Sequence, residues 1–148
     1  MARLGIDVTG HVARLATASD VAHADLVLGF ELAHLARARQ LGAPAERTFT
    51  LPDLARTVEQ VPYERRDAHT TAQRAREIVA WAHRHRLGTS GAVREIRDPL
   101  RAGPARSLET AREVHYHASV LVGYLFDTAP SRSTRREEKS RGYPAAGA

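Results

Sequence analysis

Between residues 24 and 60 four short segments follow one another with links of only a few residues. Their order limits the fold more than any other feature of the chain. ADLVLGF (24–30) is a short apolar run closed by a glycine, the pattern of a strand buried on both faces. ELAHLARARQL (31–41) places Leu32, Leu35, Ala36 and Arg39 at helical spacing and stops at Gly42 and Pro44. RTFTL (47–51) is β-branched and aromatic and predicts a second strand. Pro52 suits the first turn of a helix over PDLARTVEQ (52–60). Strand, helix, strand and helix joined this tightly predict an α/β fold with a parallel sheet and crossover helices.

The flanking sequence fills out one domain. LGIDVTGHVAR (4–14) has two glycines and no clean period, so it reads as a loop or a short extended piece. Thr17 followed by Asp20 predicts a capped short helix over 19–24. Residues 67–87 put Ala75, Ile78, Val79 and Ala82 on one helical face, ending at Gly88, and residues 107–126 repeat the pattern from Leu108 to Leu125. Beyond Phe126 the periodicity is lost, which divides the chain into a folded domain at 1–127 and a disordered basic tail at 128–148.

Composition removes several function classes. There is no cysteine, and with it go disulfides, thiolate zinc sites and cysteine nucleophiles. The net charge of +5 invites a nucleic-acid reading, but residues 131–148 carry five basic and two acidic residues, so +3 of it lies in the tail. Twenty-one of the 22 basic residues are arginine, a bias expected of GC-rich coding sequence. The rest of the chain is close to +2, whereas a nucleic-acid binder is expected to cluster its charge on the folded part. No run approaches the roughly 20 apolar residues of a membrane span, and no leader pattern opens the chain. The expectation is a cytoplasmic protein that binds neither membrane nor nucleic acid.

Metal and cofactor readings find no support. His83/His85 and His115/His117 are each two residues apart on predicted helices, where side chains diverge by about 200°. Chelation on a helix needs i,i+4 spacing. The chain has no GxSxG elbow, no Gly-rich phosphate loop and no HExxH. No metal and no cofactor is expected. One candidate remains in IRDPLRAGP (96–104), where Asp98 is followed by Pro99. A proline beside an acid fixes the backbone that carries it, as a general acid requires. The same dipeptide also starts turns ahead of helices.

The order of these pieces resembles the low-molecular-weight protein tyrosine phosphatase family. GIDVTGH (5–11), ADLVLGF, RTFTLPDLAR (47–56) and IRDPLRAGP followed by the helix at 107–126 succeed one another as in that family, over residues 4–126. The resemblance implies the remnant of a three-layer α/β/α fold with a short parallel sheet. It implies Asp98 as the general acid that protonates the leaving oxygen, and a phosphorylated protein or small phosphate ester as substrate. Leu100 and Arg101 stand where the family has an aromatic residue. The family's first strand and its C-x5-R phosphate loop have no counterpart here, which implies a truncated chain without activity of its own. In the family's strand order, 2-1-3-4, that strand is central, so its loss implies an open sheet edge at 24–30 and self-association. The alternative is a non-catalytic interaction module that uses the open edge or the basic tail.

Overall fold

The computed structural model describes residues 9–62, 70–86, 93–99 and 103–126. Residues 9–16 hold no regular element, as their mixed sequence predicts. The first helix, α1 (Ala18–Ala22), begins where Thr17 and Asp20 close a reciprocal capping box. Arg14 grips the Asp20 carboxylate with two bonds of 2.7 and 2.9 Å. That pairing, with the N–H and hydroxyl of Thr17, holds the Asp20 carboxyl far below the usual carboxylate range.

The predicted alternation is present. Strand β1 (Val27–Gly29) leads into α2 (Leu32–Gln40), then a short 3-10 turn (Ala45–Arg47), β2 (Thr48–Thr50) and α3 (Leu51–Val58). The two strands pair in parallel, with Leu28 opposite Phe49. Gly42 ends α2 in the left-handed region at φ +93°, where its N–H donates to the Arg39 carbonyl at 2.9 Å. Pro52 stands in the first turn of α3, where its missing N–H costs nothing. Two longer helices follow, α4 (Thr71–Arg84), capped by the Thr70 hydroxyl, and α5 (Gly103–Phe126).

Helices cover both faces of this small sheet. Val27 packs with Val21, Ala38 and Ala43 beneath α1 and α2. Its neighbour Leu26 points the other way, into the main core. That core joins Phe49 to Leu54, Val58, Ile78, Trp81, Leu121 and Leu125, so α3, α4 and α5 pack on one another over β2. Leu54, Val58, Ile78 and Ala82 are wholly shielded from solvent. Arg86, just past α4, lays its guanidinium 3.9 Å over the Phe49 ring and donates to the carbonyls of Ala45 and Thr48. The fold is a small α/β domain. Among the described residues, no helix is long and apolar enough to cross a membrane.

Two expectations need correction. The run at 24–30 is not buried on both faces, because Leu28 and Phe30 are each 42% exposed. Its strand has one partner among the described residues, and the helices packed on this small sheet leave Leu28 and Phe30 partly uncovered at its edge. The helical spacing read at 31–41 holds, and within α2 the buried residues are Leu35 and Ala38 while Leu32 and Ala36 are exposed. Finally, α5 begins at Gly103 rather than 107, since Pro104 fits a first helical turn and does not break it. The tail at 128–148 and most of the GIDVTGH stretch lie outside the described residues.

Candidate functional site

The junction between β1 and α2 is built from Gly29, Phe30 and Glu31. A Cβ on Gly29 would fall 2.5 Å from Leu35 Cδ1 and 2.9 Å from His34 Cβ, so only glycine lets α2 approach the strand this closely. His34, in the first turn of α2, turns its ring back to the junction. Its Nδ1 accepts the N–H groups of Phe30 at 3.2 Å and Glu31 at 3.3 Å. In the neutral ring the proton therefore sits on Nε2.

The segment 93–99 crosses to this junction. Ile96 is 3% exposed and belongs to the main core, and its N–H donates to the Phe30 carbonyl at 2.8 Å. Two glutamates clasp the contact from opposite sides. Glu95 Oε1 accepts the Leu32 N–H at 2.6 Å, placing a carboxylate on the first turn of α2, where the helix dipole favours it. Glu31 Oε1 reaches the other way and accepts the Asp98 N–H at 3.1 Å.

Asp98 is thereby carried to the C-terminal end of β1 with its side chain exposed. In parallel α/β sheets ligands gather outside the carboxyl ends of strands, and this is the position an acid must take to meet one there. The sequence singled out Asp98 but not its supports. Glu31, directly after the strand, carries a local sign as an acid entering a helix. Its link to Asp98 spans 67 residues and has no local sign.

The chemistry available is limited. Among the described residues, no three His, Asp or Glu side chains come together as a metal site. His85 stacks on Trp81, with ring centres 4.0 Å apart, and its Nδ1 lies 2.9 Å from the Trp81 carbonyl, while His83 is exposed. On α5, His117 packs edge-to-face against Tyr116, and His115 is exposed. The sequence holds no cysteine, so no thiol is available beside Asp98. No protein-family model, curated protein or solved structure matches the chain.

Proposed function

We propose that this chain is related to the low-molecular-weight protein tyrosine phosphatases, with Asp98 in the place of their general acid, and that it does not hydrolyse phosphate esters by itself. The observation that carries the reading is the placement of the Asp98-Pro99 loop at the C-terminal end of β1, within a β–α–β–α succession of the order that family uses. An acid in that position protonates a leaving oxygen, which contributes about 10²–10⁴-fold. Phosphoryl transfer also needs a nucleophile and a site for the oxyanion, and the sequence holds no cysteine to be that nucleophile.

A colorimetric assay tests the inactive part of this reading. The 148-residue chain is expected to release no nitrophenol from p-nitrophenyl phosphate above the buffer blank. Turnover that persists through repurification and vanishes in Asp98→Ala overturns it.

The half-exposed apolar side chains along β1 favour a second reading, in which the chain is an interaction module that uses this strand edge. The two readings are compatible, since a scaffold without its nucleophile keeps its surfaces.

A further inference from the structure

The described part of the sheet stops at β1, which has β2 on one side and no described strand on the other. An edge of this kind offers N–H and C=O groups to another chain. At Phe30 both are already bonded within the chain, the N–H to His34 and the C=O to the Ile96 N–H, so the edge at issue is Val27–Gly29. Leu28 and Phe30, two residues apart, lie on the same face as Leu26, which packs on the main core. With both 42% exposed and Leu32 48% exposed, the apolar surface continues out of the core onto the edge. At its C-terminal end stand Glu31 and Glu95. Each accepts a backbone N–H, and neither forms an ion pair among the described residues.

We propose that the edge of β1 accepts an extended segment of a partner protein, apolar on the face it turns to Leu28 and Phe30 and bearing Arg or Lys where it passes Glu31 and Glu95. The proposal rests on the interaction-module reading and names its partner. Strand addition takes its affinity from main-chain bonds and its specificity from alternate side chains. The two carboxylates add a charge preference, since a basic side chain gains charge-assisted bonds there and an acidic one meets repulsion.

The test uses the whole chain and three labelled nine-residue peptides of alternating Val and Thr. One ends in Arg at both termini, one in Glu, and the third is the Arg peptide with a central Pro, which cannot donate to a ladder. Anisotropy titrations are expected to give the Arg peptide a Kd about tenfold below that of the Glu peptide. It should also slow amide exchange within residues 27–29, and the Pro peptide should not. In a Glu31→Gln, Glu95→Gln double variant, which keeps both acceptor oxygens, the preference should fall to near unity. If no peptide adds protection within residues 27–29, the interaction-module reading fails with the proposal. Equal protection by Arg and Glu peptides sinks the charge preference alone. A dimer in sedimentation velocity with those amides already protected gives the edge to a second copy and overturns it too.

Discussion

Gly29 closes β1 at the point where α2 leans on the strand, and the two atoms that crowd it, Leu35 Cδ1 and His34 Cβ, differ in freedom to move. Leu35 can swing its terminal methyl. His34 is held by two backbone donors. Gly29→Ala should therefore destabilise the fold by about 1–3 kcal/mol, the range for overpacking a tight contact, read as a lower urea midpoint at unchanged m-value. Thr50 presents the opposite case. It is 1% exposed, and its hydroxyl has no hydrogen-bond partner among the described residues. A buried polar group left unsatisfied costs roughly 1–3 kcal/mol, and Val has nearly the same shape. Thr50→Val should raise stability by about 1 kcal/mol in the same titration, and a loss would show that the hydroxyl is satisfied.

At the scale of elements, Arg86 joins three pieces distant in sequence. From the end of α4 it bonds the carbonyls of the 3-10 turn and of β2 while covering the Phe49 ring. Burial lowers its pKa, and the nearby Arg39 adds to the shift. Arg86→Ala should cost about 1–2 kcal/mol from lost hydrogen bonds and ring contact, and Arg86→Lys should recover only part, because an ammonium lacks the planar fork. Thermal melts of the two variants check this order. The elements themselves were largely legible in the sequence. In α3, Leu51, Leu54, Ala55 and Val58 follow helical spacing, and all four are buried. What was not legible is what each element meets. The apolar run at 24–30 looks the same whether a strand has one neighbour or two, so the exposure of Leu28 came only from the assembled sheet. Which face of α2 turns inward was not legible for a similar reason. Leu32, Leu35, Ala36 and Ala38 fit overlapping stripes, and only the assembled packing, Ala38 with Val21 and Ala43 and Leu35 against Gly29, selects the buried pair. The clasp of Glu31 and Glu95 on the Asp98 segment is wholly tertiary.

For the whole molecule, the central claim is that the chain supplies a phosphatase-like acid on an α/β scaffold and lacks the nucleophile that acid would serve. The most direct measurement adds the absent chemistry from outside. A second chain carrying the N-terminal strand and C-x5-R loop of an intact low-molecular-weight phosphatase is mixed with the 148-residue protein, and nitrophenol release is followed with time. Turnover is predicted only in the mixture, falling about 10²–10⁴-fold when the protein carries Asp98→Ala. A mixture that binds yet stays inactive, or one as active with Asp98→Ala as without it, would contradict the role assigned to Asp98 and with it the phosphatase relationship.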